Sequence, residues 1–172
     1  MIYIFDVDNT LADRDSDQLY DHVAKWFAQH KPQRVALATN QGGVGLRAWM
    51  ERDGFGDPEK LPTEQHVIHR LSHLGQQIAT LTGGDILICY ACAYQSKTSG
   101  EWSPQREGSQ WLKSWRKPGT GMLNEAMQYY KAERHEYVFV GDNLHNNYDE
   151  LAAKAAGITY TDHASLFADF LH

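Results

Sequence analysis

The chain has 172 residues, 42% hydrophobic and 22% charged, a balance that fits one soluble globular domain with a core of its own. A formal net charge of −6 offers no general attraction to nucleic acid or to an anionic membrane, although a local basic patch could still exist. No apolar run is long enough for a bilayer, and the two cysteines, Cys89 and Cys92, are too few for a disulfide framework. The start, Met-Ile-Tyr-Ile-Phe-Asp, lacks the basic and cleavable apolar segments of a signal peptide, so the cytoplasm is the expected compartment.

Residues 2–7 are apolar, β-branched and aromatic, which predicts a buried strand. Leu19, Val23, Trp26 and Phe27 recur at helical spacing and predict an amphipathic helix over 16–29. Pro32 ends it, and residues 34–38 supply a second strand. Gly42, Gly43 and Gly45 predict a loop, and Gly54, Gly56, Pro58 and Pro62 keep the next segment irregular. Thr63 is a candidate N-cap for a long helix with Val67, Leu71, Leu74, Ile78 and Leu81 along one face, stopped by Gly83-Gly84. A third strand follows over 85–91, then a long polar loop, 93–116, carrying Trp102, Trp111 and Trp115. A helix from about Gly119, a strand over 137–140, a helix over 149–156, a short strand over 158–160 and a helix over 164–171 complete the chain.

Strand and helix alternate without internal repeat. The expectation is a single α/β domain over 1–172, a Rossmann-like three-layer fold with a central parallel sheet of about five strands covered on both faces. Ligands of such sheets sit beyond the carboxyl ends of the strands.

The first strand runs into Asp6-Val7-Asp8-Asn9-Thr10, where the alternation of strand side chains sends Asp6 and Asp8 the same way. Two close carboxylates repel, and a cation relieves that; two solvated turn acids are the plainer alternative. The second strand ends in Thr39-Asn40-Gln41-Gly42-Gly43-Val44-Gly45, a hydroxyl, an amide and unobstructed backbone N–H groups suited to a phosphate, or else a simple glycine turn. Lys117 stands before Pro118 at a helix start, where it can reach an anion held by that helix end, or remain solvated. Val140-Gly141-Asp142-Asn143 offers a third acid for a hard cation, or an ordinary turn aspartate.

Together these residues resemble the four signature motifs of the haloacid dehalogenase (HAD) superfamily: Asp6 to Leu11, Thr39 after an apolar strand, Lys117, and Gly141-Asp142. The stretch Ala152 to Ile158 is similar to the helix that follows the fourth motif. The resemblance covers nearly the whole chain except 93–116. It implies a magnesium-dependent phosphatase in which Asp6 attacks phosphorus and forms an aspartyl-phosphate. Asp8 then protonates the leaving oxygen and later activates water. It further implies Mg²⁺ held by Asp6, Asp8 (through its carbonyl) and Asp142, with phosphate oxygens held by Lys117, Thr39 and Asn40. The family places a second acid four residues after the first in the fourth motif. That position is Asn146 here, and alignment on the Ala-Ala helix gives the role to Asp149, behind the metal ligands, with Asn146 or Asn147 as neutral alternatives.

About two dozen residues separate the first motif from the second strand, too few for a large cap domain. The Thr39-Asn40-Gln41-Gly42 and Arg116-Lys117-Pro118-Gly119 stretches are similar to the heptose-bisphosphate and histidinol-phosphate phosphatases, and to the phosphatase domain of polynucleotide kinase 3′-phosphatases. The first resemblance implies a small phosphorylated metabolite whose distal part Arg116, beside the lysine, would hold, and Arg47, just after the glycine loop, is a second candidate by position. The zinc loop of that group lacks its second cysteine pair here, so no zinc is expected. Cys89 and Cys92 are read as ordinary strand-end residues, and His69 and His73 as a solvated helix face. Trp102, Trp111 and Trp115, interleaved with Lys97, Arg106, Lys113 and Arg116, could stack nucleic acid bases. Packing of their loop onto the domain is the favoured reading, so a nucleotide or polynucleotide 3′-phosphate stays the alternative. A domain that binds a phosphorylated ligand without turnover is a third, lesser possibility.

Overall fold

Five short strands, Ile2–Phe5 (β1), Arg34–Asn40 (β2), Asp85–Ala91 (β3), Tyr137–Gly141 (β4) and Thr159–Asp162 (β5), pair in parallel in the order β3-β2-β1-β4-β5. They belong to a computed structural model that describes residues 1–171. The connecting helices are Asp21–His30 (α1), Gly42–Asp53 (α2), Glu64–Thr82 (α3), Gly121–Tyr130 (α4), Tyr148–Ala156 (α5) and His163–Leu166 (α6). No helix among the described residues is long and apolar enough to cross a membrane.

The inner strands β1, β2 and β4 are largely apolar because both sheet faces are covered there, whereas the edge strand β5, Thr-Tyr-Thr-Asp, is mostly polar. Phe5, Val35, Leu37 and Val140 point to one face, where Val23, Trp26 and Phe27 of α1 and Val67, Leu71, Leu74 and Ile78 of α3 close over them. Ile2, Ile4, Ala36, Ala38 and Phe139 point to the other, against Met122, Leu123 and Ala126 of α4 and Ala152, Ala153 and Ala156 of α5. Register then positions the chemistry. Phe5 pairs with both Leu37 and Val140, so β1 and β4 end within a residue of each other while β2 runs three residues further, to Asn40.

Several local expectations change. The glycines at 42–45 open a helix instead of a loop. Each glycine costs about 1 kcal/mol of helix propensity, but Val44 and Ala48 are buried in the core and offset it. Gly45 has a packing reason: a Cβ there would meet the backbone oxygen of Cys92. The first helix starts at Asp21, not near residue 16, because the preceding chain is bonded elsewhere. Tyr20 N–H donates to Leu11 O at 2.9 Å and Leu19 N–H to Gln77 Oε1 at 3.2 Å. The last helix is the four-residue α6 followed by a short turn at Ala168–Phe170.

Candidate active site

The first strand stops at Phe5, and Asp6 leaves the sheet with its N–H still bonded to Val140 O at 2.9 Å. Its carboxylate is buried and accepts from Lys117 Nζ at 2.9 Å through Oδ1. Lys117 is buried as well and its Nζ lies 2.7 Å from Asp149 Oδ1. The other Asp149 oxygen accepts from the Asp142 N–H at 3.2 Å, so both its oxygens are engaged. Gly141 makes that approach possible, since a Cβ on it would collide with the Asp149 carboxylate.

Asp6, Asp142 and Asp149 each bring a carboxylate oxygen within 4.8 Å of the others. The Thr10 hydroxyl lies 3.4 Å from both Asp6 Oδ2 and Asp142 Oδ2, and with one proton it can satisfy only one of them. An all-oxygen set with spare acceptor capacity suits a hard divalent cation. Asn146 and Asn147 are exposed, and the Asn146 side chain accepts from the Tyr148 N–H at 2.9 Å, as a helix-start residue does.

Burial is the largest influence on Asp6 and raises its pKa to about 7; Lys117 opposes that and Asp149 and Asp8 add to it. Burial also works against the Lys117 ammonium. The Asp6 and Asp149 carboxylates outweigh it, and Lys117 stays protonated well beyond the ordinary lysine range.

Asp8 sits apart from this lysine. Arg70, buried on α3, donates to Asp8 Oδ1 at 2.7 Å, and Gln41 Nε2 donates to Asp8 Oδ2 at 3.1 Å and to Thr39 Oγ1 at 3.0 Å. Sequence reasoning missed Arg70, although a signal existed: an arginine within the apolar stripe of α3, three residues after Val67 and next to Leu71. Thr39 is buried at the end of β2. The Asn40 side chain is spent on the backbone of Lys117. Its amide donates to Lys117 O at 3.0 Å and its oxygen accepts from Lys117 N–H at 2.9 Å.

The two arginines expected at the substrate separate. Arg116 reaches back to Ala93 O at 3.1 Å and lies against Gly42 and Tyr94, beside the lysine. Arg47 points elsewhere: it bonds Glu51 at 2.9 Å and Leu61 O at 2.7 Å, and lines a shallow cavity with Glu64, Arg106 and Trp111 that includes no acid of the site. Trp111 is buried with the Arg106 guanidinium 4.9 Å from its ring centre, and Trp115 packs on the α4 side of the sheet. Trp102 is half-buried with Lys113 Nζ 5.8 Å away. Cys89 and Cys92 lie in the cores on opposite faces of the sheet.

The parallel sheet, with acids, a lysine and a hydroxyl at its carboxyl edge, defines the class: a phosphatase of the HAD superfamily. The model of the family described as polynucleotide kinase 3 phosphatase matches residues 1–170, and the chain belongs to that family. Among solved structures it is similar to D,D-heptose 1,7-bisphosphate phosphatase from B. bronchiseptica, complexed with magnesium and phosphate. That match has 21% identity and a TM-score of 0.56 over 93% of this chain and 79% of the other. A protein of Mesorhizobium loti described as a HAD-like phosphatase matches with 20% identity and a TM-score of 0.53, over 99% and 83% of the two chains. No curated protein matches the sequence significantly.

Proposed function

We propose that this protein is a magnesium-dependent phosphomonoesterase working through an aspartyl-phosphate on Asp6, with a small phosphorylated metabolite as substrate. The observation that carries the reading is the buried Asp6 carboxylate. One oxygen is held by Lys117, and the other faces Asp142 across Thr10. A carboxylate attacking a phosphate dianion needs positive charge around both. Lys117 brings one such charge. Asp6 and Asp142 would hold Mg²⁺, with Asp149 bracing Lys117 and the Asp142 backbone behind them. Once bound, the ion supplies the further positive charge that attack requires. The similar B. bronchiseptica enzyme is described with magnesium and phosphate, which supports the same reading.

In the first step an Asp6 oxygen forms a bond to phosphorus while the bond to the leaving oxygen breaks. The electron pair stays on that oxygen, and Asp8 gives it a proton. In the second, Asp8 takes a proton from water, whose oxygen attacks the aspartyl-phosphate and releases inorganic phosphate with Asp6 regenerated. Thr39 and Lys117 hold the non-bridging oxygens, joined by first-turn amides of α2 that have no acceptor within the helix. Asn40 serves the phosphate indirectly, by fixing the Lys117 backbone.

The tryptophan loop favours a small substrate, because Trp111 and Trp115 are committed to packing. The family description favours a second reading, a polynucleotide 3′-phosphate. Turnover of a panel of small phosphomonoesters and a 3′-phosphorylated oligonucleotide with Mg²⁺ separates them. Efficient cleavage of a small ester alone supports the first reading. A higher kcat/KM on the oligonucleotide, weakened by salt, replaces it with the second. No turnover of any ester would leave only phospho-ligand binding.

A further inference from the structure

Arg70 is the most deeply buried arginine among the described residues, at 6% exposure, and nothing in the four motifs accounts for it. Its guanidinium has three acceptors: Asp8 Oδ1 at 2.7 Å, Ser16 O at 2.7 Å and Asp13 O at 3.1 Å. A buried arginine must be paired, and a rigid planar fork that joins a carboxylate to two carbonyls fixes all three in one arrangement. The other Asp8 oxygen accepts from Gln41, which also binds the Thr39 hydroxyl. The carboxylate is thus clamped from both sides, by α3 and by the start of α2.

Resting on the phosphatase reading above, we propose that Arg70 is a positioning residue for the proton donor: it orients the Asp8 carboxylate so that one oxygen faces the leaving group. Its bond to Oδ1 is charge-assisted and comes from a buried side chain, whereas Gln41, itself half-buried, offers Oδ2 only a neutral amide. Oδ2 is therefore the oxygen released to carry the proton, while Oδ1 stays fixed on Arg70. The misplacement of a catalytic group by about an ångström costs on the order of a hundredfold in rate, so loss of the clamp registers in catalysis before it registers in the fold.

A second anchor provides a control. Gln77, two turns along the same helix, holds the same loop without touching Asp8: its amide donates to Asp17 O at 2.6 Å and its oxygen accepts from Leu19 N–H. A purely structural Arg70 would act as Gln77 does, through the loop 13–19.

The test compares kcat/KM, which covers steps through formation of the phosphoenzyme, for p-nitrophenyl phosphate and for glycerol phosphate. The nitrophenolate leaves without a proton; the glycerol alkoxide needs one. Arg70→Gln is expected to lower kcat/KM about a hundredfold on glycerol phosphate and by under about tenfold on p-nitrophenyl phosphate. Arg70→Lys, which keeps the charge but not the fork, should show the same split at smaller size, and it replaces Arg70→Gln if that variant does not fold. Gln77→Ala should show no split. Equal losses on both substrates, no loss on either, or the same split in Gln77→Ala would each overturn the proposal. Failure of the phosphatase reading looks different: the wild type would then turn over neither ester, or Asp6→Asn would turn over both.

Discussion

Lys117 Nζ and Asp149 Oδ1 are 2.7 Å apart, although 31 residues separate them in the chain and they belong to different segments, the turn before α4 and the first turn of α5. Asp149 thereby restrains the ammonium that also binds Asp6, so the last acid of the constellation acts on the first through a lysine. The pair is almost fully enclosed, at 2% and 8% side-chain exposure, which makes the loss of either partner costly.

Asp149→Ala should accordingly destabilise the metal-free protein by about 3 kcal/mol, the lower end for removing one partner of a buried pair, since Lys117 keeps Asp6. Asp142 is half-exposed and, among the described residues, bonds only Thr10 and the Leu144 N–H through its side chain. Asp142→Ala should therefore leave unfolding nearly unchanged and weaken Mg²⁺ binding more than Asp149→Ala does. Denaturant unfolding without metal, paired with a Mg²⁺ titration, checks both halves. A larger metal defect in Asp149→Ala would exchange the two roles.

Asp6→Asn removes the attacking charge and keeps the shape, so turnover should fall by more than about a thousandfold while the protein stays folded. Phosphatase activity alongside the far-ultraviolet dichroism measures this. Near wild-type turnover would end the aspartyl-phosphate mechanism.

The raised pKa of Asp6 makes metal-free stability depend on pH. The folded state holds the proton up to about 7 while the unfolded chain loses it near 3.8, so the folded state binds more protons between those values. Stability from this group is fully present below 3.8 and is lost as pH rises through about 7. Asp6→Asn, which does not titrate, should show a flatter decline across that window in thermal melts. Magnesium, which needs the ionised carboxylate, should bind more tightly as pH rises through the same range and release a proton as it does. Equal slopes in the two proteins would show that Asp6 does not titrate there.

Gly45→Ala should cost about 1–3 kcal/mol, as overpacking does, because its Cβ would meet the Cys92 carbonyl and the Ser103 hydroxyl. Urea unfolding tests it. An unchanged midpoint would show that α2 shifts freely away from the loop after β3.

Trp111→Ala should cost about 3–5 kcal/mol and lower activity equally on small and oligonucleotide substrates, since the ring lies within the core. Unfolding and kinetics on both substrates decide it. A selective loss on the oligonucleotide, without loss of stability, would make Trp111 part of a nucleic acid surface.

What the sequence determined by itself was the alternation of elements and the edge at which chemistry collects. Apolar runs such as 85–91, and helical stripes such as Val67, Leu71, Leu74 and Ile78, are local patterns. The periods of strand and helix are set by the backbone, so both can be read without knowing any partner. The same holds for Asp6, Lys117 and Asp142, each standing just after or before a recognisable element. Tertiary structure alone decided the rest. Gly42, Gly43 and Gly45 look like a loop until Gly45 is seen against Cys92 O, because local propensity carries no knowledge of a backbone brought in from elsewhere in the chain. Asn40 reads as a phosphate ligand and Arg47 as a substrate ligand, and only the tertiary structure puts the first side chain on Lys117 and the second on Glu51 and Leu61. Arg70 looks like a misplaced charge on an apolar helix face until Asp8 appears opposite it. Which acceptor a polar side chain finds depends on sheet register and on how helices pack across it, and neither is written in the residues beside it.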